Sequence, residues 1–219
     1  MIDITNEDNM ELMARYPDNH FDLAIVDPPY KEEVSGLKAG FNRSEFNYKA
    51  LSTPPTREYI KELFRVSKNQ IMWGFNYYLE LLPNTDSIIF WNKHQNGHFS
   101  EGESAWCSLG KTRLFDRAYQ KDIGNKIHPT QKPVELYEWL LVNYAQIKCN
   151  HKHEEHFRYI CTDCKNSGVK ILDTHLGSGS IALACHNLKF DLTACELDKE
   201  YFDASLKRLK RHQQQLTMF

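Results

Sequence analysis

Apolar positions in this chain come in short bursts divided by polar stretches rich in turn residues. Phe21–Val26 is a compact apolar run stopped by Asp27-Pro28-Pro29, which reads as a buried strand entering a rigid turn. Ile2–Thr5, Gln70–Trp73, Ser87–Trp91, Ser104–Ser108, Val169–Leu172 and Phe190–Cys195 read as further strands. Helical spacing covers Asp8–Arg15, closed by Pro17, and Thr56–Val66 through Tyr59, Ile60, Leu63 and Phe64. Pro133 opens another amphipathic helix at a first-turn position, where its missing N–H does no harm. Ser180–Leu188 and a charged segment Lys199–Gln213 complete the helices, whereas 111–128 is polar, contains Gly124 and reads as loop. Strands alternating with helices at this spacing predict an α/β domain with a mostly parallel sheet.

Composition narrows the class without changing that picture. With 219 residues, one domain over 1–219 is expected. The chain is 41% hydrophobic and 26% charged, as in ordinary packed proteins. No apolar run approaches the ~20 residues of a membrane span. The acidic start MIDITNEDNMEL lacks a secretory pattern, so a cytoplasmic location with reduced thiols is expected. A net charge of −2 excludes a highly basic nucleic-acid coat but not an enzyme with one local basic cleft.

Two strand ends carry candidate chemistry. Asp27-Pro28-Pro29-Tyr30 follows a buried strand, at the edge where open α/β sheets bind ligands. The prolines fix the backbone, so the Asp27 carboxylate and the Pro28 carbonyl can stand as adjacent acceptors for the two hydrogens of a planar amine, with Tyr30 stacking on the ring. The second is Leu172-Asp173-Thr174-His175-Leu176-Gly177-Ser178-Gly179-Ser180, a strand, a glycine turn and a helix. It lacks the third glycine of a dinucleotide fingerprint and the Gly-Lys of a phosphate loop. The next strand ends in Glu196, a carboxylate suited to ribose hydroxyls.

With DPPY at 27–30, HPTQKP at 128–133, and LDTHLGSGS followed by CELDKEYF, the chain resembles the β class of DNA amino-methyltransferases. The motif order is that of the family: catalytic motif, variable middle, HPTQKP, then the glycine motif for S-adenosylmethionine. The resemblance implies a doubly wound, seven-stranded, mostly parallel Rossmann-like sheet, circularly permuted, with Ile2–Thr5 supplying the strand missing after the last helix. It gives Asp27, Pro28, Pro29 and Tyr30 to the target base and Asp173, His175, Gly177, Gly179 and Glu196 to the cofactor. Thr130 and Lys132 fall near the cofactor's methionine end. His175 departs from the phenylalanine frequent in the family's glycine motif. The implied reaction is methyl transfer to the N6 amine of adenine in DNA. Cytosine-N4 methylation stands as the near rival, methylation of RNA or of a protein amide as a second, and a vestigial zinc and nucleic-acid binding module as a third. No cysteine beside the motifs looks like the nucleophile of cytosine-C5 chemistry.

Residues 149–164 interrupt the family pattern. Cys149, His151, Cys161 and Cys164 have the layout of a small structural zinc site, while Cys107, Cys185 and Cys195 lie in apolar surroundings as core thiols. DNA is the expected partner, with a homodimer left open. The basic, aromatic stretch 31–53 and the segment 92–126, the candidate target-recognition segment, would contact it, with Asn92, Lys93 and His94 near base edges.

Overall fold

The computed structural model describes residues 1–29, 54–95, 100–119, 126–128, 130–145 and 168–216. Tyr30, the stretch 31–53 and the insert with Cys149, His151, Cys161 and Cys164 lie outside the described residues. The elements are β1 (Ile2–Thr5), α1 (Asn9–Ala14), β2 (Leu23–Val26), α2 (Arg57–Val66), β3 (Gln70–Trp73), β4 (Ser87–Asn92), β5 (Gly102–Cys107), β6 (Arg113–Asp116), α3 (Val134–Tyr144), β7 (Lys170–Asp173), α4 (Ser180–Leu188), β8 (Asp191–Cys195) and α5 (Lys199–Leu216).

The strands form one sheet in the order β1-β8-β7-β2-β3-β5-β4-β6. Every neighbouring pair is parallel except the two that β5 makes, with β3 and with β4. β1 pairs with β8 in register Ile2 to Leu192, so the first strand of the chain extends the sheet beyond one of the last. Alternation along the strands divides the core. Leu23, Ile25, Ile71, Trp73 and Ile171 pack with Leu136, Leu140, Ile181 and Leu183 of α3 and α4. Ala24, Val26, Met72 and Leu172 pack instead with Leu12 of α1 and with Tyr59, Ile60 and Leu63 of α2. Burying each large aliphatic side chain contributes about 1.5–3 kcal/mol, so the two apolar faces between them hold the layers together.

Local chemistry sets the helix starts. The Asp8 carboxylate accepts the Met10 N–H at 2.8 Å, and Thr56 Oγ1 accepts the Tyr59 N–H at 3.2 Å. Asp198 Oδ1 accepts from Glu200 and Tyr201 at the start of α5. Pro133 itself is the cap of α3, without a side-chain bond.

The sheet has eight strands rather than seven, because part of 111–128 is not loop. Arg113–Asp116 pairs parallel with β4 as an edge strand. Its Leu114 is 60% exposed, so no apolar alternation advertises it, and its strand form comes from β4's open hydrogen-bonding edge. Among the described residues, no helix is long and apolar enough to cross a membrane.

Candidate active site

Asp27, Trp73, Asn92, Asp173 and Glu196 stand at or just beyond the carboxyl ends of β2, β3, β4, β7 and β8. Because β5 runs the other way, its first residues, Gly102 and Glu103, come to the same edge. The segment before α3 brings Lys132 there, although it lies 105 positions from Asp27 in sequence.

These residues form a line of alternating charge. Lys132 Nζ donates to Asp27 Oδ2 and lies 3.1 Å from Glu103 Oε2, while Lys93 Nζ donates to Glu103 Oε1. Lys132 is 2% exposed and sits over the Trp73 ring, 5.2 Å from its centroid. The other Asp27 oxygen, Oδ1, is buried and has no hydrogen-bond partner among the described residues. Burial pushes the Asp27 carboxyl above its ordinary value, the Lys132 ammonium opposes that, and the Glu103 carboxylate adds to it. Glu103 is also penalised by burial, but the ammonium groups of Lys132 and Lys93 outweigh this and hold it below the usual range.

The glycine turn is built for close approach. Gly177 and Gly179 have φ values of +52° and +71°, a left-handed conformation that side chains with a Cβ rarely adopt. A Cβ on Gly177 would meet nothing nearer than the His128 ring at 3.6 Å, whereas one on Gly179 would press on Ser205 Cβ at 3.1 Å. Glu196 Oε2 accepts the Gly177 N–H at 2.7 Å and Oε1 accepts the Asp198 N–H at 2.9 Å, which fixes the carboxylate beside the turn. Burial, aided by the negative charges of Asp27 and Glu196, pushes the Asp173 carboxyl up to about 8, against the Asp173 Oδ1 bond from the His175 N–H.

HPTQKP closes this edge. Ser180 Oγ donates to the Lys132 carbonyl at 2.7 Å, and Arg208 of α5 donates to both Ser180 Oγ and the Ser178 carbonyl at 2.9 Å. His128 is buried under Gly177 against Tyr201, with ring centroids 4.3 Å apart. Its Nδ1 accepts from the Thr130 backbone N–H at 3.3 Å. Burial, with Lys132 nearby, lowers its ring to about 3, so it is neutral. Thr130 is exposed, and the Lys132 ammonium lies on Asp27. His175 turns toward α1 and α2, its Nε2 accepting from Asn9 at 3.1 Å and its Nδ1 bonding Thr174 Oγ1 at 3.0 Å. Lys93, expected near base edges, is buried and donates to Glu103. Arg113 and Arg117 are held by Asn143 and Glu135 of α3.

Sequence reasoning missed Glu103 and Arg208. Neither belongs to a motif, and the one available signal for Glu103 is a carboxylate opening a strand that runs against its neighbours.

The family model for N6/N4 DNA methylases matches residues 90–207, more than half of the chain. The chain belongs to that family. This methylase is 22% identical to the type II methyltransferase M.HpaI of Haemophilus parainfluenzae over 244 residues, covering 91% of this chain and 71% of that protein. Its fold is similar to the crystal structure of an M1.HpyAVI–SAM complex, with a TM-score of 0.58 and 19% identity over 95% of this chain and 100% of that one. The PvuII cytosine-N4-specific DNA methyltransferase is also similar in fold, with a TM-score of 0.57 and 12% identity over 94% of this chain and 86% of that one. Among the described residues of the methylase, no group of three or more His, Cys, Asp and Glu side chains is placed to hold a metal.

Proposed function

We propose that this methylase transfers a methyl group from S-adenosylmethionine to the exocyclic N6 amine of adenine in DNA, on a base flipped out of the duplex. The observation that carries the reading is Asp27 Oδ1, a buried acceptor without a partner at the edge that also holds the glycine turn and Glu196. A buried acceptor left unbonded costs about 1–3 kcal/mol, which a donor from the substrate would recover.

The residues present fit the cofactor: the left-handed glycine turn at Gly177, the Glu196 carboxylate fixed beside it for ribose hydroxyls, and the buried Asp173 carboxyl, whose ionised form a cationic ligand would favour. Bound S-adenosylmethionine supplies an electrophilic methyl group on its sulfonium. Asp27 Oδ1 and the Pro28 carbonyl take the amine's two hydrogens, which favours a tetrahedral nitrogen with its lone pair free for attack. Tyr30 stacks on the ring. Orientation and fixed hydrogen-bond acceptors supply the catalysis. In this arrangement the amine lone pair would form a bond to the methyl carbon as that carbon's bond to sulfur breaks, the sulfur leaving as the neutral thioether of S-adenosylhomocysteine and the extra proton on nitrogen passing to water.

The same reading takes the domain as a permuted, β-class arrangement. Support comes from β1, which lies beside β8 where a strand following β8 would otherwise sit. It also keeps 92–126 as the target-recognition segment and 149–164 as a zinc-binding insert.

Incubation with methyl-labelled cofactor and unmethylated genomic DNA, followed by nucleoside mass spectrometry, tests the reading. N6-methyladenine is expected; N4-methylcytosine, or no transfer, would overturn it. Asp27→Ala should abolish transfer while leaving the cofactor dissociation constant within about tenfold. Turnover near wild type in that variant would remove Asp27 from the amine site.

A further inference from the structure

Three of the four charges in the line Asp27–Lys132–Glu103–Lys93 lie outside the Asp-Pro-Pro-Tyr motif, and each comes from a different part of the fold. Lys132 precedes α3, Glu103 opens β5 and Lys93 follows β4. A lysine ammonium beside a carboxylate can bond either oxygen, because its donors rotate and its charge is a point. Here it bonds Oδ2 and leaves Oδ1 without a partner. The same ammonium also pairs with Glu103, whose Oε2 lies 3.1 Å away. Glu103 is itself tied from the far side by Lys93, which is buried and stacked near the rings of Trp91 and Tyr119.

We propose that Glu103 is a positioning residue for methyl transfer. It draws the Lys132 ammonium to the Oδ2 side of Asp27 and so keeps Oδ1 open to the substrate amine, with Lys93 holding Glu103 in place. This deepens the reading of Asp27 as amine acceptor and rests on it. Without Glu103, that pull toward Oδ2 is lost and the Lys132 ammonium competes with the amine for Oδ1. Among the described residues, Asp173 at the end of β7 and Tyr137 on α3 are the other titratable groups that interact with Asp27.

The test uses Glu103→Gln and Lys132→Met in the full chain, with two independent readouts. The first is single-turnover methylation of unmethylated genomic DNA beside calorimetric binding of S-adenosylmethionine. For Glu103→Gln, turnover should fall about tenfold to a hundredfold, as for a misplaced reacting group, with cofactor affinity within threefold. The second is carbon-detected NMR titration of the Asp27 carboxyl in cofactor-free protein, assigned with Asp27→Asn. Glu103→Gln removes a like charge from beside Asp27, so the midpoint should move down. Lys132→Met removes the opposing cation, so it should move up.

Unchanged turnover in Glu103→Gln, or turnover and affinity falling together, would overturn the proposal, as would a carboxyl midpoint that neither variant moves. Opposite NMR shifts in a wild-type protein that methylates no DNA would uphold the charge line and overturn the functional reading instead. If Glu103→Gln does not fold, Glu103→Asp replaces it. The charge stays but the carboxylate is one methylene too short to reach both lysines, so turnover should fall without loss of cofactor affinity. Wild-type turnover in that variant would overturn the proposal.

Discussion

At the residue scale, the site is a set of carboxylates whose ionisation the fold has displaced. Asp173 is pushed up to about 8 by burial, with Asp27 and Glu196 adding negative charge. A cationic ligand beside it favours the ionised form. Below about pH 8, binding of S-adenosylmethionine should therefore expel a proton, and affinity should tighten as pH rises toward 8 and level off above it. Calorimetry at pH 7 in two buffers of different ionisation enthalpy measures that proton. Equal heats in both, or an affinity flat between pH 6.5 and 8.5, would show that Asp173 does not face the cofactor's charge. S-adenosylhomocysteine, which lacks the sulfonium, should show a weaker pH dependence.

At the element scale, the turn between β7 and α4 separates backbone demand from ligand space. Gly179 caps α4 in the left-handed region and presses toward Ser205, so Gly179→Ala should cost about 1–2 kcal/mol from backbone alone, plus the 3.1 Å contact. Gly177→Ala carries the same left-handed backbone cost but meets only ordinary contacts. It should lose less stability than Gly179→Ala and more cofactor affinity, because the Gly177 N–H holds the Glu196 carboxylate proposed for the ribose, and a strained turn would misplace it. Melting temperatures and dissociation constants of the pair check this, and the reverse ranking would mean that the cofactor does not rest on that carboxylate. The insert at 149–164 is an element by composition alone. If Cys149, His151, Cys161 and Cys164 hold zinc, protein purified without chelator should carry about one zinc per chain. Elemental analysis finding none would reduce the insert to an ordinary loop.

At the scale of the whole molecule, two opposing linkages cross the neutral range. Burial lowers His128 to about 3 and His175 to about 4, so each adds stability that is complete above the unfolded value near 6.5 and is lost as pH falls toward those values. Asp173 works the other way: its raised value adds stability below the unfolded value near 4, lost as pH rises through about 8. Relative to wild type, His175→Gln should gain stability from pH 7 to pH 5, and Asp173→Asn from pH 5 to pH 8. Each should do so by about 1 kcal/mol per pH unit. Urea midpoints measure both, and differences independent of pH would show that these groups titrate alike in folded and unfolded chains.

Much of this protein was legible before any coordinates. Ile2–Thr5, Gln70–Trp73 and Ser180–Leu188 keep their sequence-read limits, and the other elements read from the sequence shift by a residue or a few, because buried strands and amphipathic helices announce themselves through local periodicity. Asp27, Gly177, Gly179 and Glu196, which the structure gathers at one sheet edge, stand out in the sequence because their neighbours are part of the signal. Lys132 stands out too, but its contact does not: it bonds Asp27 from 105 positions away. Glu103, Lys93 and Arg208 matter through partners that only the sheet order brings near, and β6 exists because β4 offers it an edge. Local pattern determines which segments form strands and helices. Long-range pairing decides which charges meet, since a Coulomb contact depends on distance in space and leaves no period along the chain.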